Sequence, residues 1–482
     1  MLGISKELFA SWNDAGLLYC HWKSNEHLLP GLDGDTDLDV LLSLKDKAQG
    51  ETLLRSLDFL QCKSQFGSRY PNVDDWIGFD KATGKLIHVH LHYELVTGHK
   101  GMKEYSLPWT EEALRTRVYN DEYGVYTMEP NLELVTLFTR IGLKASFINI
   151  YRCRLGKFHF SKDVKREIAW LNERVDMAKV RQLLDAYYGD KAEAVCGLMQ
   201  KEKITASDYL KLRKIAESTF KKYSRVKCFV RIREIAFFVY NKRLKRLVKR
   251  FSPVMSRKVP ASEKGLTVAF LGQDGAGKTT VTQHLIKWWN WKLDVRYIYL
   301  GSGENYFSLK KRLMKAIPPK GAFKSFRAIL GLSVLKDVAK KSYRNVVKAE
   351  KYAAKGGLVI YDRYPQTDFA GICDGPKIRK KIKDVFGKGF VARLFAPMSK
   401  KEEKYITKTV THNPDVVFKL ILSPEESIRR KPQEKYEAVK QKHEIIKALK
   451  FEHSDVYTID ATLPFEEELV LIKNIIWQHI HK

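Results

Sequence analysis

The chain has 482 residues, 44% of them hydrophobic and 29% charged, with a formal net charge of +30. That length supports roughly two to four domains with full cores, and the apolar fraction excludes a disordered polyelectrolyte. Six scattered cysteines (Cys20, Cys62, Cys153, Cys196, Cys228, Cys373) form no C-x-x-C pair. This argues against a disulfide framework or a structural zinc site and points to the reducing cytoplasm. The N-terminal decapeptide carries an early acid, Glu7, and no long apolar core, so it does not read as a secretory signal. No apolar run approaches the roughly 20 residues of a membrane-spanning helix.

Residues 1–130 mix short strands and helices, the pattern of an α+β domain. Asp33, Asp35, Asp37 and Asp39 alternate ahead of the apolar run Val40-Leu-Leu42. On a strand, residues two apart share a face, so Asp37 and Asp39 could together hold Mg²⁺; the alternative is an acidic loop capping a strand. In Ile87-His-Val-His-Leu-His-Tyr-Glu-Leu95, the residues His88, His90 and His92 likewise fall on one face. Neutral imidazoles there favour a Zn²⁺-like ion over Mg²⁺, and the alternative is packing in the core. With His21-Trp-Lys-Ser-Asn25 upstream, this block resembles nucleotidyltransferases of the polymerase-β type. The resemblance implies a phosphate-gripping turn at Lys23-Ser24, where the family carries Gly-Ser. It also implies a third metal ligand at the position of His90, where the family carries aspartate.

Residues 131–264 read as helical, from Asn131-Leu-Glu-Leu-Val-Thr-Leu-Phe138 through Val164–Leu171 to a basic helix and a linker. Between Lys211 and Lys258 there are 17 Lys/Arg against two acids, Glu217 and Glu234, so half of the net charge sits in a tenth of the chain. Within it, residues 237–251 place apolar residues at near-helical spacing among basic ones. Three readings stand: contact with an anionic membrane surface, contact with a nucleic-acid backbone, or a solvated helix face. The first extends the expected location from the cytoplasm to the inner membrane surface. Ser252-Pro253 and Val259–Gly265 punctuate the chain as a linker.

From 265 to 482, strand-like runs alternate with helical ones, which predicts an α/β domain with a parallel sheet and helices on both faces. Its first strand, Leu266–Leu271, runs into Gly272-Gln-Asp-Gly-Ala-Gly-Lys-Thr-Thr280, and Val281–Trp289 reads as the following amphipathic helix. This is the phosphate-loop pattern G-x-x-x-x-G-K-[ST] in the context it needs. Gly272, Asp274, Gly275, Ala276, Gly277, Thr279 and Thr280 would frame the phosphates of ATP. Lys278 would reach the β- and γ-phosphates and Thr279 would face Mg²⁺. The strand ending at Tyr361 delivers Asp362 as the metal's acidic partner and Arg363 as a grip on acceptor phosphate. Arg429 and Arg430, in Ser423–Lys431, are suited to close over the transferring group; the alternative is a pair of solvated helix charges. A last strand ends at Asp460-Ala461-Thr462.

The motifs G-Q-D-G-A-G-K-T-T, D-R-Y, S-P-E-E-x-x-R-R-K and I-D-A-T occur in this order, and together they resemble the thymidylate kinase-like branch of the P-loop nucleoside monophosphate kinases. The resemblance implies catalytic roles for Lys278, Asp362, Arg363, Arg429 and Arg430, with Asp274 near the acceptor and Asp460-Ala461 near the adenine. It departs from thymidylate kinases at Leu300–Phe307, which lacks the acceptor-binding arginine, and at Asp374-Gly-Pro-Lys-Ile378. Lys310-Lys311-Arg312 could stand in for the missing arginine.

The leading expectation is an ATP- and Mg²⁺-dependent phosphotransferase whose acceptor is a nucleotide or a sugar or glycan bearing a phosphate or hydroxyl. The alternatives are metal-dependent nucleotidyl transfer by residues 1–130, or a nucleotide-gated binder acting through residues 237–251. The acceptor and the oligomeric state, a dimer included, stay open.

Overall fold

The computed structural model describes residues 1–64, 70, 72–99, 102–156, 158–225, 232, 236, 239–240, 257–262, 264–301, 309–318, 323–387 and 389–481. Residues 237–238 and 241–251 of the basic segment lie outside these, as do 302–307 of the acceptor-side segment. The chain divides into two compact units, Met1–Lys258 and Val259–Lys482.

In the first unit, strands β1 (Tyr19–His21), β2 (Asp37–Leu42), β3 (Leu60–Lys63), β4 (Val73–Phe79), β5 (Leu86–His92), β6 (Val118–Asn120) and β7 (Val125–Thr127) form a mixed sheet in the order β3-β4-β5-β2-β1-β7-β6. β2 and β5 run parallel, with Asp37 beside His88 and Asp39 beside His90, whereas β4 runs antiparallel to β5 and sets Asp75 beside His90. Because side chains alternate along a strand, this register alone collects the acids and histidines on one face. The other face carries Leu38, Val40, Ile87, Val89 and Leu91, all fully buried against Leu8, Phe9 and Trp12 of the helix Gly3–Asp14.

The expected helices follow, beginning with Pro130–Leu143, whose Glu129 side chain caps Leu132 N and whose first residue is proline, a residue suited to N1. This helix is buried nearly all round, and its residues share one core with Trp22, Trp109, Leu184 and Phe220. Glu133 (1% exposed) accepts from Asn25 N at 3.0 Å and Asn25 Nδ2 at 2.7 Å, and Glu167 accepts from Ser24 N and Oγ, both at 3.1 Å. The helices thereby hold the turn that carries Lys23.

The second unit contains five parallel strands: β8 (Leu266–Gly272), β9 (Val295–Tyr299), β10 (Leu358–Asp362), β11 (Val416–Ile421) and β12 (Asp455–Asp460), ordered β9-β10-β8-β11-β12. The three central strands are mostly apolar, with Thr267 inside β8 and Lys419 inside β11, and are buried along almost their whole length, and the two edge strands are more exposed. That is the signature of a covered parallel sheet. Helices Lys278–Trp289, Lys324–Ala353 and Tyr436–Ala448 pack on the central strands. The carboxyl ends of β8, β10 and β11 converge where the strand order reverses, the place where open α/β sheets bind ligands.

Candidate functional site

β8 ends at Gly272, and the loop that follows turns through Gly275 (φ +91°) and Gly277 (φ +79°). Both angles are left-handed, which only glycine adopts without cost, and Gly277 leads directly into the helix Lys278–Trp289. The helix N-terminus and the loop's N–H groups thus bound an anion cradle. Lys278 is 8% exposed, and its Nζ donates to Gly272 O at 2.7 Å and Gln273 O at 2.8 Å. Burial, reinforced by the nearby Arg363 cation, pulls its pKa down to about 8. Thr279 Oγ1 donates to Asp362 Oδ2 at 3.3 Å, and the same carboxylate oxygen accepts from Tyr297 OH at 2.8 Å. A hydroxyl and a buried carboxylate side by side are the oxygen donors a Mg²⁺ ion takes, so Thr279 and Asp362 fit the metal expected there.

Arg363 follows Asp362 with left-handed backbone (φ +70°), and its N–H donates to Phe270 O at 3.1 Å. The guanidinium lies between two carboxylates: Nη2 is 3.7 Å from Asp274 Oδ1 and Nη1 is 3.5 Å from Asp374 Oδ2. Lys442 pairs with the other oxygen of Asp274, and Lys377 Nζ lies 3.8 Å from Asp374 Oδ1. Burial pushes the Asp274 pKa up, but Lys442, Lys278 and Arg363 outweigh it and hold the group below its ordinary value. Asp274, Lys278, Arg363, Asp374, Lys377 and Lys442 all line one cavity of roughly 210 Å³. A Cβ on Gly301 would lie 2.7 Å from Arg363 Cδ and 2.6 Å from Tyr299 OH, so the backbone approaches the arginine closely at that position.

The two expected lid arginines separate. Ser423 caps the short helix Pro424–Arg430 by accepting from Glu426 N at 3.1 Å. Arg429 is 77% exposed and binds Glu426 through two nitrogens, at 2.6 and 2.7 Å. Arg430 shares Glu426 through Nε at 2.8 Å and also reaches the loop, donating to Ala461 O at 3.1 Å and Gly275 O at 3.5 Å. Asp460 turns back on Thr462, accepting from its N at 2.8 Å and its Oγ1 at 2.7 Å. Ala461 is buried, with its N–H on Ile421 O. Ala276 is buried, while Thr280 is exposed. Lys310 pairs with Asp337 at 2.6 Å, and no described contact joins it to the cavity. Asp374, Lys377 and Lys442 were not singled out by sequence reasoning as site residues. The one available signal was the D-G-P turn at Asp374, where Cys373 (φ +48°) and Asp374 (φ +60°) form a consecutive left-handed pair.

In the first unit, Asp37, Asp39, His88, His90 and His92 do come together. His88 Nδ1 lies 2.7 Å from Asp37 Oδ1, and His90 Nδ1 and His92 Nε2 each lie 3.3 Å from Asp39 Oδ1. Lys23 Nζ is 2.6 Å from the same Asp39 oxygen. Asp75, which sequence reasoning missed, joins them from β4: its Oδ1 is 3.1 Å from His88 Nε2 and 3.0 Å from His90 Nε2. Further cations surround the cluster. Burial and Lys23 pull the Lys103 pKa down to about 8, and Arg140, then burial, holds Lys144 well below an ordinary lysine. Arg140 Nε is buried and makes no hydrogen bond.

No family model matches this chain. Among curated proteins, it is similar to an uncharacterized ATP-binding protein, YghR, of Escherichia coli K12. The two are 26% identical over 221 residues, covering 42% of this chain and 83% of that protein. A second, YghS, from the same strain, is 24% identical over 217 residues, covering 42% of this chain and 88% of its own length. Two fifths of the chain thus resembles proteins named for ATP binding. Among solved structures, deoxyadenosine kinase from M. mycoides with bound dATP aligns at a TM-score of 0.27 and 16% identity, over 44% of this chain and 98% of that one. The same enzyme with its products aligns at 0.28, over 43% and 97%.

Proposed function

We propose that the Val259–Lys482 unit is an ATP-dependent phosphotransferase of the thymidylate kinase-like type. The observation that carries this reading is one shared cavity: the phosphate-loop lysine Lys278 and the acceptor-side arginine Arg363 line the same 210 Å³ space. A donor and an acceptor phosphate bound there would share that space. The ATP-binding names of the relatives agree with the donor half.

In this reading the N–H groups of Gly275–Thr279 cradle the triphosphate, and Lys278 leaves the carbonyls of Gly272 and Gln273 to follow the charge on the transferring group. Thr279 and Asp362 would hold Mg²⁺, which neutralises charge on the β- and γ-phosphates. Arg363 and Lys442 orient the acceptor, whether a nucleotide or a sugar carrying a phosphate or hydroxyl. Arg430, already on the loop, closes from above and excludes water. The test is transfer of labelled γ-phosphate from ATP to a panel of nucleotides, sugar phosphates and glycans, run beside Lys278→Ala. Full turnover by that variant would sink the assignment.

A second reading concerns the first unit. Lys23, Lys103, Lys144 and Arg140 gather beside the Asp39 cluster, the mixture of cations and acids that a metal-bound triphosphate needs. Nucleotidyl transfer there is tested by pyrophosphate release from nucleoside triphosphates. Absence of release with Mg²⁺, Mn²⁺ and Zn²⁺ removes it.

A further inference from the structure

Lys258 Nζ is surrounded by three acceptor atoms: Asp75 Oδ1 at 2.5 Å, His88 Nε2 at 3.2 Å and His90 Nε2 at 3.3 Å. Each ring's Nδ1 faces a carboxylate, Asp37 beside His88 and Asp39 beside His90, while each Nε2 faces both Lys258 Nζ and Asp75 Oδ1. A cation held at that point needs both Nε2 atoms as lone-pair donors, with each ring proton on Nδ1 against its carboxylate. Carboxylate behind imidazole, with the far nitrogen aimed at a common point, is how proteins fix the tautomer of a metal-binding histidine.

The spacing agrees. Asp75 Oδ1 lies 3.1 Å from His88 Nε2 and 3.0 Å from His90 Nε2. Neighbouring ligands about an ion with bonds of about 2.1 Å are separated by about 3 Å at octahedral angles and about 3.4 Å at tetrahedral ones. The donor set also discriminates between ions, because two imidazoles and one carboxylate suit Zn²⁺, Co²⁺ or Fe²⁺ and not Mg²⁺. A third imidazole, His92, stands next along β5, fully buried.

We propose that Asp75, His88 and His90 form a binding site for a divalent transition-metal ion, with Asp37 and Asp39 as the supporting carboxylates, and that the Lys258 ammonium is a built-in competitor at the same point. Metal binding expels the lysine, and the lysine sets the threshold concentration of metal. This site is separate from the phosphate loop and stands or falls independently of the kinase reading.

The test is titration of the full-length protein with Co²⁺, followed by visible absorption, with Mg²⁺ in excess to fill oxygen-only sites. One Co²⁺ per chain is expected, with a band that reports imidazole ligation. Lys258→Ala removes the competitor and should tighten binding by about tenfold. Asp37→Asn leaves the ligands in place and should weaken it about 10- to 100-fold. His90→Asn should abolish the band. If His90→Asn fails to fold, as judged by far-ultraviolet circular dichroism without metal, the Lys258→Ala and Asp37→Asn shifts decide the matter. Absence of saturable binding in both wild type and Lys258→Ala overturns the proposal. So does a band that is indifferent to Lys258 and Asp37, or displacement of Co²⁺ by Mg²⁺.

Discussion

Asp374 Oδ2 lies 3.5 Å from Arg363 Nη1, and both residues hold left-handed backbone, at φ +60° and +70°. Such angles cost a residue with a Cβ about 1–2 kcal/mol, except that Asp and Asn tolerate them through local hydrogen bonding. Asp374→Asn should therefore keep the turn and lose the charge, while Asp374→Ala loses both. Urea unfolding should find the alanine variant about 1 kcal/mol less stable than the asparagine variant. Equal stability would show that the turn places no demand on the residue.

The guanidinium fork is the second expectation. Arg363 faces Asp274 and Asp374 with different nitrogens, a geometry that a lysine point charge does not reproduce. Arg363→Lys should raise the acceptor KM by about tenfold or more, with ATP affinity changed by less than about twofold. A variant impaired equally toward ATP would place the arginine on the donor.

Lys278, with its pKa drawn down to about 8 by burial and Arg363, is partly neutral in mildly alkaline solution. ATP binding requires it charged, so the affinity should fall as pH rises through about 8, and binding above that pH should take up a proton. Calorimetry in two buffers of different ionisation enthalpy measures this uptake directly. Lys278→Ala should abolish the uptake and lower turnover by a factor on the order of 10²–10³.

Glu133 is buried beneath Asn25, and burial lifts its pKa to about 7 despite the Asn25 hydrogen bonds. The folded state then holds this proton more tightly than the unfolded state, whose value is about 4.3. Stability contributed by the protonated group is complete below the unfolded pKa and falls as pH rises from there to about 7. Glu133→Gln keeps the acceptor for Asn25 N and should flatten the denaturation midpoint across that interval. An unchanged pH profile would locate the titration elsewhere.

The legible parts of this chain were those written in local pattern. The phosphate loop, the five parallel strands and the alternation of His88, His90 and His92 are all short-range signals, because glycine spacing and period-two burial act over a few residues. What stayed hidden depends on register and crossover. Asp75 lies on β4 as an unremarkable acid, and only antiparallel pairing with β5 sets it opposite His90. Lys442 sits in an ordinary charged helix, and only the packing of Tyr436–Ala448 near the loop turns it onto Asp274. Arg429 and Arg430 are adjacent in sequence, yet a helix sends neighbours about 100° apart. Both bind Glu426, but only Arg430 also reaches the loop.

The cavity's own inventory bears on its guest. Among the described residues that line it, Lys278, Arg363, Lys377 and Lys442 stand against Asp274 and Asp374, leaving a surplus of positive charge in a recess. A guest phosphate with two negative charges cancels that surplus, whereas an uncharged sugar leaves it standing. Ionic strength therefore becomes a discriminating reagent: a phosphorylated acceptor should lose affinity steadily as salt rises, and a neutral one should be indifferent to it.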